Sequence, residues 1–414
     1  MGDHHRKQPF PLPVLKAVFR LLAFFVPGKA RRRKFRNWGE SLPRHWLEHG
    51  RHRRIKTRVL ADKDTFSVLV VLQDLTVTGA PMAGLQALKA IVKNGGRALV
   101  AAGHGGRLVP EIEKLGVETI ISPNCLAYPP TIKELAEGFD VVLVNTLSLN
   151  AWINVLSRLD NVMWYLHEAA GIAIEAENRP EVAEALRRCR HLYVVSEHAA
   201  SFVAPWRRPR ILPLGIEDRA GELAPPMPPD CGKLRLAIVG TIFRTKGQDL
   251  AVEALKRLSP ELRSRLEFFF LGEPAQPDGY ELLRSLPPDL PVTLVPEIAD
   301  QDKKWDFYNQ MDVFCVPSRD ESCSLVLLEA CMLGKPVLIS DRVGGRYMVE
   351  EGRNGLIFKS EDIEDLGRAL KWFLAHPERW PQMGLESRAM YLAKARSDLF
   401  GKNLLSALKE AAGS

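Results

Sequence analysis

From residue 66 onward the chain alternates short β-branched runs with longer amphipathic stretches. FSVLVVL (66–72) is uniformly apolar, as expected of a strand buried on both faces. A TGAP turn at 78–81 then leads into the helical spacing of GLQALKAIVKNG (84–95). RALVAAG (97–103) predicts the next strand, EIEKLG the end of a helix and VETIIS a further short strand. DVVLVNT (140–146), VMWYLHE (162–168) and HLYVVSE (191–197) are apolar runs that finish in polar residues. This alternation predicts a parallel sheet with helices on both faces. Ligands then bind at the carboxyl ends of the strands, where those polar residues fall.

Residues 218–233, DRAGELAPPMPPDCGK, are proline-rich and place a linker at 221–233. The alternation restarts with KLRLAIVG (233–240), a helix in GQDLAVEALKRL, and LEFFFLG (266–272). PVTLVPE, DVFCVPS and KPVLISD complete a second set of strands. The expected architecture is α/β, with two Rossmann-like domains, 61–220 and 234–395, facing a central cleft that is the default ligand site. Residues 396–414 are expected to form a helix packing back on the first domain, and residues 1–60 stand outside both.

The length of 414 residues agrees with two domains, and 46% apolar residues suffice for a sizeable core. Six cysteines include no C-x-x-C pair, which reads as reduced thiols of a cytosolic chain rather than a zinc site or disulfide frame. The net charge of +7 is uneven: residues 1–60 carry 16 basic against 3 acidic residues, and the remainder 41 against 47. The body of the protein is therefore not a nucleic-acid-binding surface, and the basic arm needs its own account. In the arm, PLPVLKAVFRLLAFFVPG (11–28) precedes KARRRKFR and is interrupted by Lys16 and Arg20. A spanning helix needs about 20 apolar residues, so this stretch does not cross a bilayer. A secretory signal is disfavoured by the two charges, while an organelle transit peptide is a minor alternative. Two readings stay open: an in-plane amphipathic helix in which residues 11–36 dock on anionic lipid, or a helix packed on its own domain with a solvated basic tail.

SRDESCSLVLLEACMLGKPVLISDRVGG (318–345) carries the most chemistry. Glu321 lies in a polar loop, while Glu329 sits inside an apolar run with Leu325, Val326, Met332 and Leu333 as its helical neighbours. Burying an unpaired carboxylate costs about 5 kcal/mol or more, so Glu329 needs donors from another element or from a ligand's hydroxyls. The spacing leaves both open. Backbone amides of Ser322, Cys323, Ser324 and Leu325 at the helix start are suited to an anion such as phosphate. VGTIFRTKGQDL (239–250) offers a second anion-binding element: a strand ending at Gly240, then Arg244 and Lys246 beside a helix start near Gly247.

Together these motifs resemble the family-4 retaining glycosyltransferases of the GT-B fold. The resemblance rests on G-x5-K-G at 240–247, P-S-R-x-E at 317–321, E-x7-E from Glu321 to Glu329, G-K-P-V at 334–337, DRVGG (341–345) and GRNG (352–355). It runs from about 236 to 360, extends more loosely over 66–216, and leaves out residues 1–60. It implies that Glu329 binds the nucleotide ribose, that Glu321 contacts the donor sugar near the reacting carbon, and that Lys246 binds the diphosphate. It further implies that the backbone at Glu297 and Ile298 meets the base. His167 of WYLHE would be the cleft histidine touching the donor sugar, and Gly79 of TGAP would belong to a glycine loop near phosphate and acceptor. His167 and Glu321 are thus the catalytic candidates. Two positions depart from the pattern: Thr241 stands where arginine is usual, with Arg244 in reach as a substitute, and Thr78 replaces a second glycine.

The activity implied is transfer from a nucleotide-diphosphate sugar with retention, driven by neutralising the departing diphosphate and needing no obligatory metal. DKD (62–64) and DQD (300–302) read as surface loops. The expected acceptor is a glycan or lipid-linked molecule in cell-surface polysaccharide or lipopolysaccharide assembly. The expected location is cytoplasmic, peripheral at the inner face of the membrane. A nucleotide-sugar epimerase and a catalytically silent GT-B module are the rival readings.

Overall fold

The computed structural model describes residues 50–156, 159–222, 233–275 and 277–413. Residues 11–36 of the basic arm and most of the linker lie outside these. Two wholly parallel sheets organise the chain. The first has the order β3-β2-β1-β4-β5-β6-β7. Its strands are β1 (Ser67–Leu72), β2 (Arg97–Ala102), β3 (Glu118–Ile121), β4 (Val141–Asn145), β5 (Val162–Leu166), β6 (His191–Val194) and β7 (Arg210–Ile211). The second has the order β10-β9-β8-β11-β12-β13. It contains β8 (Leu234–Val239), β9 (Leu266–Leu271), β10 (Val292–Val295), β11 (Val313–Val316), β12 (Val337–Ser340) and β13 (Gly355–Phe358).

Burial explains the apolar runs. Every residue of β1, β4, β5 and β11 is buried, because helices cover both faces of a central parallel strand. β10 is an edge strand, and its Leu294 stays exposed. In each sheet the chain reverses direction of growth once, between β1 and β4 and between β8 and β11. Such switch points leave a crevice at the strands' carboxyl ends.

The chain's last helices tie the two sheets together. The helix Ser397–Ala412 lies on the first domain, where Gly401 approaches Ala90 of the helix Gly79–Lys93 so closely that an added Cβ would stand 3.3 Å from the Ala90 Cβ. An ion pair fastens its far end, where Arg210 holds Glu410. Tyr391, in the preceding helix Trp380–Lys394, donates its hydroxyl to the Ile216 carbonyl at 3.0 Å. Ahead of β1, residues 50–59 form a helix whose Ile55 is buried, and Arg97 donates to the Val59 carbonyl at 3.0 Å.

Candidate functional site

The carboxyl ends of the central strands bring the candidates together. After β8, Gly240 takes a φ of 130°, and the chain makes a short turn at Arg244–Lys246 before the helix Gln248–Arg257. Gly247 has φ 75°, and a Cβ there would meet the Pro317 carbonyl oxygen at 2.1 Å. Glycine is therefore needed twice over, for conformation and for packing this loop against the end of β11. Lys246 projects from that turn onto Glu321, with which it forms an ion pair. The Ser318 hydroxyl is 3.4 Å from the same carboxylate. Arg244 is exposed and has no ion pair among the described residues.

Arg319 follows a different course from these cations. It is bonded to both carboxylate oxygens of Asp249 at 2.7 Å, and to Glu361 and the Arg244 carbonyl. Its charge is consumed in holding the loop and its helix in place.

Past Glu321, Ser324 caps the helix Leu325–Met332 by accepting from the Leu327 amide at 3.3 Å. The amides of Ser322, Cys323, Ser324 and Leu325 have no hydrogen-bond partner among the described residues, which leaves four donors for an anion. The Cys323 side chain is buried beside Tyr347, and burial pushes its thiol up to about 12, so only its backbone can serve a ligand.

Glu329 has donors from another element. In the helix Gln301–Gln310, Lys304 Nζ lies 2.7 Å from one carboxylate oxygen and the Tyr308 hydroxyl 2.9 Å from the other. Burial first, and then the neighbouring carboxylate, holds the Tyr308 phenol well above its usual range, so it remains a donor. The ammonium also sits over the rings of Trp305 and Tyr308, 4.7 and 5.0 Å from their centroids. Between the two partners left open by the spacing, the protein itself thus supplies two donors, and a ligand would add to them.

The first domain contributes His167 at the end of β5. Asn145, at the end of β4, donates its Nδ2 to the Ala80 carbonyl at 2.8 Å, which turns its Oδ1 toward His167 Nε2 at 2.6 Å. Nε2 must then carry the proton, and Nδ1 is the lone-pair nitrogen. Burial pushes this imidazole down to about 3, although part of its surface still faces solvent, so it is neutral throughout the physiological range. Glu168 fixes the surrounding backbone by accepting from the amides of His167 and Leu147, both at 3.0 Å, and from the Thr146 hydroxyl. Thr146 has a φ of 110°, a strained conformation costing about 1–3 kcal/mol. Trp164 holds it by donating to its carbonyl at 2.8 Å. A small cavity of about 120 Å³ lies beside it, lined by Gln73, Asp74, Thr78 and Asn145 among others.

Gly79 opens the helix Gly79–Lys93, and an added Cβ there would meet no protein atom within 4 Å. Packing within the protein does not demand glycine at this position. Glu297 and Ile298 follow β10, and Glu297 meets Arg107 of the first domain across the cleft. Both D-x-D stretches are engaged structurally. Asp300 caps the helix Gln301–Gln310 through the amides of Asp302 and Lys303. Asp62 accepts from the Thr65 hydroxyl at 2.6 Å and pairs with Arg97. Among the described residues, no three His, Cys, Asp or Glu side chains form a group able to hold a metal ion. No helix among them is long and apolar enough to cross a membrane.

Sequence reasoning missed Lys304, Tyr308, Asn145 and Glu168. Only Asn145 and Glu168 carried a signal, as polar residues ending apolar runs.

Comparison with known proteins bears on the fold. Residues 227–395 match the family described as glycosyl transferases group 1. D-inositol 3-phosphate glycosyltransferase of Kribbella flavida is 34% identical over 158 residues, 36% of this chain and 37% of that one. The chain thus spans about a third of the length of the curated relatives it matches. Among solved structures, Anabaena HepE in complex with UDP-glucose superposes with a TM-score of 0.70 at 16% identity, over 83% of this chain and 99% of that one. Sucrose-phosphate synthase from Thermosynechococcus elongatus gives 0.65 at 18%, over 84% and 100%. The fold is GT-B, and residues 227–395 are similar to the group 1 glycosyl transferases.

Proposed function

We propose that the protein is a retaining glycosyltransferase that moves a sugar from a nucleotide-diphosphate sugar to a hydroxyl of a glycan or lipid-linked acceptor. The observation that carries this reading is the convergence, where the central strands of both sheets end, of Lys246, Glu321 and four unpartnered helix-start amides with a neutral His167. A departing diphosphate would take Lys246, Arg244 and the amides of Ser322–Leu325. Charge growing on the leaving oxygens would be met without a water shell having to reorganise. Lys246 would thereby be drawn from Glu321, freeing that carboxylate toward the donor sugar. These cations and dipoles would do the work of a divalent ion, so the reaction is proposed to need no metal. Glu329 would accept from the ribose hydroxyls while Lys304 and Tyr308 hold it in place, and the base would lie against Glu297 and Ile298.

Support for a uridine nucleotide comes from Anabaena HepE, which has been solved with UDP and with UDP-glucose. The K. flavida relative acts on an inositol phosphate, whereas a cell-surface polysaccharide or lipopolysaccharide acceptor is proposed here because residues 11–36 suit a membrane surface. The proposed location is peripheral, on the cytoplasmic face of that membrane.

Thermal shift of the wild type and Glu329→Ala with UDP, GDP and dTDP tests the donor site. Ligand at 100 times its dissociation constant adds about 2.7 kcal/mol. UDP stabilising the wild type clearly more than Glu329→Ala is the expected result, and no shift with any nucleotide would sink the reading. Product NMR from a labelled donor, with and without a chelator, checks transfer, retention and metal independence together. A silent binding module is the second reading, favoured by both glutamates being already paired with lysines. It predicts a nucleotide shift without product.

A further inference from the structure

Glu321 belongs to one domain and His167 to the other, so something must set their register. The residues on either side of Glu321 are bonded across the cleft. Asp320 Oδ2 accepts from the amide of Ala170 at 2.9 Å, at the start of the helix Ala170–Asn178 and three residues past His167. Its Oδ1 lies 2.9 Å from His198 Nε2, in the helix Glu197–Val203. His198 is steadied by an edge contact with Phe202, ring centroids 5.1 Å apart. On the other side, the Ser322 hydroxyl donates to the His167 carbonyl, and the Ser322 carbonyl accepts from the Ser196 hydroxyl at 2.7 Å. Gly344 leaves the room for this: a Cβ there would stand 2.0 Å from the Ser322 carbonyl oxygen and 2.5 Å from Ser196 Oγ.

We propose that Asp320 is a positioning residue, the latch by which domain closure brings Glu321 into register with His167. This rests on the transferase reading above. The carboxylate suits its receptor, since a helix amino terminus favours negative charge and both oxygens find donors. Asp320 keeps 28% of its side chain exposed and His198 17%, as befits a contact that must open to admit substrate. Apart from Gly79, the candidate nucleotide contacts Arg244, Lys246, Glu297, Ile298 and Glu329 belong to the second domain. Breaking the latch should therefore spare nucleotide affinity and slow transfer.

The test compares wild type, Asp320→Ala, Asp320→Asn, His198→Ala and the Asp320→Ala/His198→Ala double variant in the full chain. Titration calorimetry with UDP is expected to give dissociation constants within about twofold of wild type. The transfer rate at saturating donor should fall on the order of 10- to 100-fold for Asp320→Ala, the scale of a misplacement near 1 Å. Asp320→Asn, which keeps one acceptor oxygen, should lie between, and the double variant should fall no further than Asp320→Ala. Small-angle scattering should show a larger radius of gyration for Asp320→Ala. An unchanged rate and radius, additive losses in the double variant, or equal losses of affinity and rate would each overturn the latch. If the wild type transfers no sugar, the transferase reading fails, and the scattering comparison alone decides whether Asp320 holds the domains closed.

Discussion

The two glutamates eight positions apart are both paired with lysine, and both are mostly buried, with 15% of the Glu321 side chain exposed and 13% of Glu329. Their settings differ. The Lys246–Glu321 pair joins two loops at strand ends, and Lys246 keeps 29% exposure. The Lys304–Glu329 pair joins two packed helices, its ammonium lies over two aromatic rings, and a tyrosine hydroxyl takes the second oxygen. On the proposed function, an arriving diphosphate would compete for the loop lysine. The helix pair is held more firmly, because its ammonium lies against Trp305 and Tyr308, which are both buried. On the same proposed function, one ion pair would exchange partners, and the other would stay and present an oriented acceptor.

The largest effect that would sharpen this comparison is on the exchanging pair. Glu321→Ala is expected to lower transfer about 10²–10³-fold, the usual cost of losing one preorganised group, while leaving the UDP dissociation constant within a few-fold of wild type. Kinetics and calorimetry on one preparation check both, and a matching loss of affinity would erase the distinction drawn between the two carboxylates. Next comes the fixed pair. Glu329→Ala removes hydrogen bonds to a charged acceptor, worth about 1.5–3 kcal/mol, so UDP should bind roughly 10- to 100-fold more weakly. The same change strands Lys304 and should lower the denaturation midpoint, and adding Lys304→Met should recover part of that stability without restoring UDP affinity.

The pH response is read in stability rather than in transfer. His167 is depressed from its ordinary 6.5 to about 3, so the unfolded chain binds the proton more readily between those values. Its contribution to stability is complete above about pH 6.5 and is lost as pH falls toward 3, at no more than about 1.4 kcal/mol per unit. His167→Gln should flatten that part of a urea-stability profile, and an unchanged slope would mean the imidazole is not held neutral. Smallest is Arg244→Ala. An exposed cation without an ion pair among the described residues is worth about 0.2–1 kcal/mol, so UDP affinity should fall only a few-fold, with the loss vanishing at high salt.

Several of these groups are legible in the amino-acid sequence. Gly240, Lys246, Glu321 and His167 each follow an apolar run, and a parallel sheet delivers the ends of its strands to one edge. Thr146 and Glu168 are legible only as polar residues in such places. Nothing in the sequence marks the φ of 110° at Thr146 or the three donors that Glu168 satisfies. DKD and DQD read as loops, while the N-cap role of Asp300 depends on where the following helix begins.

The periodicities of the chain were enough by themselves to determine two parallel sheets, the helices between their strands and the residues at strand ends. Those are local matters, decided within a few residues by the alternation of apolar and polar side chains. Tertiary structure alone decided the partners of the carboxylates. Glu329 meets Lys304 across 25 residues of sequence, and Asp320 meets His198 across 122. Helical spacing reports only neighbours within one helix. A buried charge announces that it needs a partner, but the partner's identity depends on which helices and which domains are packed together.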